Sequence, residues 1–303
     1  MLTAAVNEYV ALRCSLGAKF VDEAESLRSY AKFAAARGDK HVRTGGALEW
    51  AAMATTASSR ENRLRLVASF AVHARAEDPR HDLPPRNVFA RARSRYRRPP
   101  YIYTPEAVGT LLAAAARLAP AGSVRPDTYC TLFGLLACTG LRVSEALRLH
   151  LGDFSDGSLV IRGTKFGKTR LVPLHPTATE ALTRYLARRN AACPVDDHIF
   201  VSSRGNPLKY KYVYRTFLGL VAGWSAGPNR SRPTIHGLRH SFAVRSLEDS
   251  PTGRDHVGWH LRALSTYLGH VSVASTYWYL RSTPQLMRDL ADVCAPTFEG
   301  GTP

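Results

Sequence analysis

Apolar residues recur at helical spacing through the first 78 positions. Ala5, Val6, Tyr9, Val10 and Leu12 form one stripe, and Leu27, Tyr30 and Phe33 continue the pattern across 20–36. Further amphipathic stretches begin near Thr44 and Ser59, both residue types that cap helix N-termini. Four short helices are predicted, making a small all-helical domain over residues 1–80. The pattern breaks over 81–102, where Pro84, Pro85, Pro99 and Pro100 interrupt any helix and predict a linker. It resumes at Thr104-Pro105-Glu106, a cap, a first-turn proline and an acidic side chain suited to the positive helix end. Helices follow to about Cys138. Ser158 to Arg162 and Arg170 to Pro173 are short β-like runs around a Gly- and Lys-containing turn, which predicts a hairpin. Beyond it, helices are predicted near 176–190, 208–223, 236–248, 261–268 and 272–280, with a last one after Pro284. The chain therefore reads as mainly α with a small β-hairpin, an α+β fold whose second domain spans 103–303.

Charge changes this picture more than composition does. Forty-one Lys and Arg against 24 Asp and Glu give a formal net charge of +17. Residues 1–100 carry 18 basic and 10 acidic side chains, and the remainder carry 23 and 14, so both halves are basic. A basic tail would concentrate the excess, whereas this distribution points to a polyanion followed over an extended path. Six arginines crowd the segment from Arg86 to Arg98. Arg91, Arg93, Arg95, Arg97 and Arg98 cannot all pack on one core, so they read as a solvated run or as a strap on DNA phosphates. No apolar run reaches membrane-spanning length and no signal-peptide pattern follows Met1, so a cytoplasmic location is expected. Five scattered cysteines fit neither a disulfide framework nor a zinc cage.

The candidate chemistry lies in five separated pieces. Gly140 can end one helix in Thr139-Gly-Leu-Arg-Val-Ser-Glu-Ala-Leu147, which leaves Arg142 at the start of the next. Gly163-Thr-Lys-Phe-Gly-Lys-Thr-Arg170 carries Lys165 and Lys168 between the two strands. A lysine there could pass a proton to a leaving oxygen, position a phosphate, or simply lie on the surface. His236-Gly-Leu-Arg-His240 places His236 and Arg239 on one helix face, an imidazole beside a fork-shaped cation. Leu268-Gly-His270 follows, and Tyr279 stands nine residues later. The pairs His236/His240 and His256/His260 have a helical metal-ligand spacing. Neither has the glutamate of a zinc-protease motif, and no Cys or carboxylate lies at ligand spacing, so no metal is expected.

In this order, T-G-L-R-V-S-E-A-L, K-x-G-K-T-R-L-V-P-L, H-G-L-R-H-S-F-A, L-G-H and the tyrosine resemble the tyrosine recombinase family, also called phage integrases. The Y-T-P-E opening and the helical N-terminal region resemble that family's core-binding, SAM-like domain. The resemblance implies that Arg142, Lys165, His236, Arg239, His270 and Tyr279 are catalytic, with Glu145 and Lys168 supporting them. It implies strand cleavage through a 3′-phosphotyrosyl bond without metal, ATP or other cofactor. It also implies double-stranded DNA as partner, a homotetramer on two DNA sites, a possible accessory directionality protein and association with the nucleoid. A type IB topoisomerase and a catalytically inactive DNA-binding relative remain alternatives. Two features depart from the family pattern. The stretch 248–262 is longer than expected and reads as an insertion, and Tyr277 lies close to Tyr279, although the spacing from His270 favours Tyr279 as nucleophile.

Overall fold

A computed structural model describes residues 2–18, 20–89, 100–163, 169–192, 196–227, 231–249 and 254–269, with 254–257 described as backbone alone. Lys165, Lys168, His270, Tyr277, Tyr279 and the arginines from Arg91 to Arg98 lie outside the described residues. So do the helices expected at 272–280 and after Pro284. The chain divides into two compact units, Met1–Arg97 and Arg98–Pro303.

The first unit contains α1 (Leu2–Ser15), α2 (Val21–Ala36), α3 (Thr44–Ala52) and α4 (Ala57–Glu77). Their apolar stripes meet in one core that includes Val6, Leu27, Tyr30, Trp50, Leu64 and Phe70. Tyr30 meets Trp50 edge to face at 5.4 Å, the geometry that aromatic quadrupoles favour. Two expected caps are corrected here. Ser59 lies within α4, and Thr56 is the cap, its hydroxyl accepting from the Ser59 backbone N–H at 3.1 Å. Thr44 is the first residue of α3, and its N–H is satisfied by Asp82 Oδ2 at 2.9 Å.

The second unit opens with α5 (Pro105–Ala116), capped by Thr104 as its sequence predicts. Next come α6 (Val124–Thr139) and the single turn α7 (Val143–Ala146). The strands β1 (Phe154–Ser155), β2 (Ser158–Ile161) and β3 (Arg170–Pro173) form an antiparallel sheet in sequence order. Asp156 and Gly157, both at positive φ, make the tight turn between the first two strands. Leu159, Ile161 and Val172 alternate inward to the core. The unit continues with α8 (Pro176–Ala191), α9 (Tyr210–Leu220), α10 (Ile235–Glu248) and α11 (Arg254–Leu268). The core surrounds α6, with Leu132, Phe133 and Leu136 fully buried.

Much of the stretch read as an insertion is helical. α11 begins at Arg254, so residues 254–261 extend a helix expected only from 261. Among the described residues, no helix is long and apolar enough to cross a membrane.

Candidate active site

α6 must stop where the chain turns back towards α7, and Gly140 makes the stop in the left-handed conformation at φ 63°. A side chain at Gly140 would bring its Cβ to 2.5 Å from the Phe242 ring and 3.1 Å from Leu268. Close approach and backbone conformation therefore both require glycine. Two residues later Arg142 sits at the N-cap of α7, as the sequence places it.

Beneath Arg142 lies Glu145, with only 2% of its side chain exposed. Its Oε2 accepts from the Arg142 backbone N–H at 3.0 Å, and its Oε1 accepts from the Arg142 guanidinium at 2.8 Å. From the first residue of β3, Arg170 adds two more bonds, at 3.2 Å to Oε1 and 2.9 Å to Oε2. Burial alone would raise this carboxyl, but the bonds from Arg170 and Arg142 overcome it and hold it at about 2. Glu145 is thus a fixed anion that orients two guanidinium groups. Its position three residues after Arg142 is plain in the sequence, whereas nothing local there signals Arg170.

Arg239 enters from α10 and is 2% exposed. Its Nη1 donates to the Gly140 carbonyl at 2.6 Å and its Nη2 to the Leu268 carbonyl at 2.7 Å. The Gly269 carbonyl accepts a longer bond of 3.5 Å from Arg142 Nη2. Both arginines therefore hold the end of α11, at the point where the chain runs into His270. Gly269 has φ +66°, and an added Cβ would lie 2.9 Å from Arg170 Nη1. The three arginines and the two glycine turns form one packed arrangement.

His236 stands at the start of α10, where Thr234 caps the helix by accepting from the Gly237 N–H. The residue is exposed and its ring lies edge to face with that of His240 at 4.5 Å. Partial desolvation and then the positive charges of Arg239 and Arg142 lower its pKa, which favours a neutral imidazole near pH 7. The i, i+3 spacing puts His236 and Arg239 on one side of α10, but the two differ in burial. Arg239 is buried with its fork spanning the Gly140 carbonyl and the last carbonyl of α11, and His236 is the exposed one of the two.

The segment before α5 braces this helix. Tyr103 N–H donates to Ser241 Oγ at 2.7 Å and the Tyr103 hydroxyl donates to the Thr234 carbonyl at 3.0 Å. A Cβ at Gly237 would come within 3.0 Å of both the Tyr103 ring and the Tyr101 carbonyl. Nothing local in the sequence signals this brace, since its partners are more than 100 positions apart.

The Glu145 arrangement yields a pH-dependent expectation. A carboxyl held below its unfolded value stabilises the fold above about pH 4, and that contribution is lost as pH falls towards its folded value. Glu145→Gln is expected to cost about 3 kcal/mol near pH 7. The gap from wild type should narrow as urea unfolding is repeated at successively lower pH. A gap of constant size would mean that shape, not charge, holds Arg142 and Arg170.

The phage integrase family model matches residues 103–285. The chain is 38% identical over 297 residues to a putative integrase/recombinase, y4rB, of Sinorhizobium fredii, covering 94% of each protein. It is 34% identical over 190 residues to the tyrosine recombinase XerD of Chlamydia pneumoniae, covering 61% of this chain and 58% of that one. Its fold is similar to that of the XerH site-specific recombinase in a post-cleavage complex with its difH substrate. That match has a TM-score of 0.62 at 20% identity, over 89% of this chain and 78% of the other. With a family match over more than half its length and a relative aligned along nearly all of it, the chain belongs to the phage integrase family.

Proposed function

We propose that the protein is a site-specific DNA recombinase that cleaves and rejoins strands through a phosphotyrosyl bond to Tyr279. The observation that carries this reading is the joint hold of Arg142 and Arg239 on the end of α11, next to an exposed His236. Attack on a phosphodiester builds negative charge on the nonbridging oxygens, and fixed guanidinium groups stabilise that charge without reorganising. A neutral imidazole can donate to the same oxygens. Tyr279 attacks phosphorus, Lys165 protonates the departing 5′-oxygen, and His270 supports the phosphate. The covalent bond conserves the energy for rejoining. Lys168 supports the hairpin lysine, and the arginines from Arg91 to Arg98 follow duplex phosphates between the helical domain (1–80) and the catalytic domain (103–303).

A nicked suicide substrate that traps a covalent protein–DNA adduct separates this enzyme from an inactive DNA-binding relative. Joined products from two DNA sites, formed by a tetramer, separate it from a topoisomerase. The role of Lys165 has its own expected result. Lys165→Ala slows cleavage of an ordinary phosphodiester by about 10²–10⁴-fold, the range of general acid catalysis. A 5′-bridging phosphorothiolate leaves without protonation and should restore most of the rate. Equal defects on both substrates would assign Lys165 to phosphate positioning.

A further inference from the structure

Away from the arginine centre, two histidines are brought together by backbone pairing alone. Ile199 N–H donates to the Leu149 carbonyl at 2.8 Å and Leu151 N–H donates to the Asp197 carbonyl at 2.9 Å. Between these bonds His150 faces His198 across an antiparallel bridge. Such a non-hydrogen-bonded pair is the one in which facing side chains come closest. The two imidazole centroids are 4.2 Å apart. Asp197 Oδ1 lies 2.8 Å from His150 Nδ1, and one ring nitrogen from each histidine and one Asp197 oxygen lie within 4.8 Å of one another.

We propose that His150, Asp197 and His198 bind one divalent transition-metal ion of the zinc class. Two imidazoles and a carboxylate are the donor set such ions accept, with a water completing the tetrahedron, whereas calcium and magnesium require oxygen donors. The site is held in shape from behind. Arg189, 3% exposed, donates to the His198 carbonyl at 2.7 and 3.1 Å and to the Asp196 carbonyl. The His150 N–H donates to Asp153 Oδ2 at 3.1 Å, and Asp153 is itself held by Arg162 at 2.7 Å. The Asp196 carboxylate bonds the His198 ring at Nδ1 and its backbone N–H at 2.8 Å. The same Nδ1 lies 4.0 Å from Asp197 Oδ1, so Asp196 turns the His198 ring towards the other two donors. The Asp197 side chain is 70% exposed and the His150 side chain 44%, so an ion reaches them from solvent and Asp197 can close on it. A bound ion ties the chain just after α7 to the segment between α8 and α9. It touches no residue of the arginine centre and acts on stability, not on strand transfer. The two histidines lie 48 positions apart in sequence, which is why no histidine spacing signals them.

The test is equilibrium dialysis of the full chain against Zn²⁺, with thermal unfolding monitored in parallel. Wild type is expected to bind one ion that raises the melting temperature, reversibly with EDTA. His150→Asn and His198→Asn should each remove that ion and its stabilisation. Asp197→Asn, at a side chain 70% exposed, should weaken binding at least about tenfold while leaving the unfolding cooperative. His175→Asn should leave binding unchanged. Undiminished binding in His150→Asn and Asp197→Asn would overturn the site, as would loss of the ion only in a His256→Asn/His260→Asn variant.

Discussion

Tyr279→Phe is expected to abolish covalent protein–DNA adducts, a loss of about four orders of magnitude or more in cleavage. Specific DNA binding should be nearly unchanged, because the ring is kept and only one hydroxyl is removed. A phenol with an ordinary pKa of about 10 is a poor nucleophile near neutral pH, so it depends on neighbouring cations and a proton acceptor. In the proposed mechanism Arg142 and Arg239, which hold the end of α11 ten or eleven residues before the tyrosine in sequence, supply such cations. Tyr277→Phe serves as the comparison. It keeps at least partial cleavage if Tyr277 is a packing aromatic, as the nine-residue spacing between His270 and Tyr279 implies. Adducts that persist in Tyr279→Phe and vanish in Tyr277→Phe would reverse the two roles. Adducts that persist in both would remove the phosphotyrosyl mechanism altogether.

The contrast between what the sequence announces and what it conceals follows the range of the forces involved. Thr104, Pro105 and Glu106 announce α5 because a cap, its first-turn proline and its dipole partner are neighbours. Gly140 announces the end of α6 because the left-handed turn is a local requirement. Thr44 misleads for the opposite reason. It has the chemistry of a cap, yet the donor is satisfied by Asp82 from 38 positions away. The 254–261 stretch reads as an insertion beside Pro251 and Gly253, although its backbone continues into α11. In the candidate active site, Arg142 and Glu145 are three residues apart and their pairing is nearly local. Arg170 completes that pairing from a strand, so no spacing rule could assign it. The same holds for Tyr103 with Ser241 and for His150 with His198, which only the tertiary fold makes neighbours.

Arg239→Lys is expected to reduce single-turnover cleavage by about 10²–10³-fold, the cost typical of losing one fixed donor to a developing oxyanion. The charge survives this substitution, so the size of the loss measures geometry. The guanidinium is a planar fork whose two ends donate to different helix ends, the Gly140 carbonyl after α6 at 2.6 Å and the Leu268 carbonyl of α11 at 2.7 Å. A lysine ammonium is a compact charge that cannot span both carbonyls in the same directions. One carbonyl would then be left buried without its donor, a cost of about 1–3 kcal/mol. Leu268 is two residues before His270 in sequence, so the proposed phosphate site is the part of the molecule most exposed to a shift at this carbonyl. Arg142→Lys makes an informative partner, since about a third of that side chain is exposed and Arg170 still holds Glu145 without it. Arg239→Lys should therefore lower the melting temperature more than Arg142→Lys, while both slow cleavage. DNA affinity, measured separately, should fall far less than the cleavage rate if Arg239 acts, as proposed, on charge that develops during the reaction. A lysine variant that cleaves within tenfold of wild type would show that charge alone suffices. The two-carbonyl hold of Arg239 would then be a feature of folding and not of catalysis.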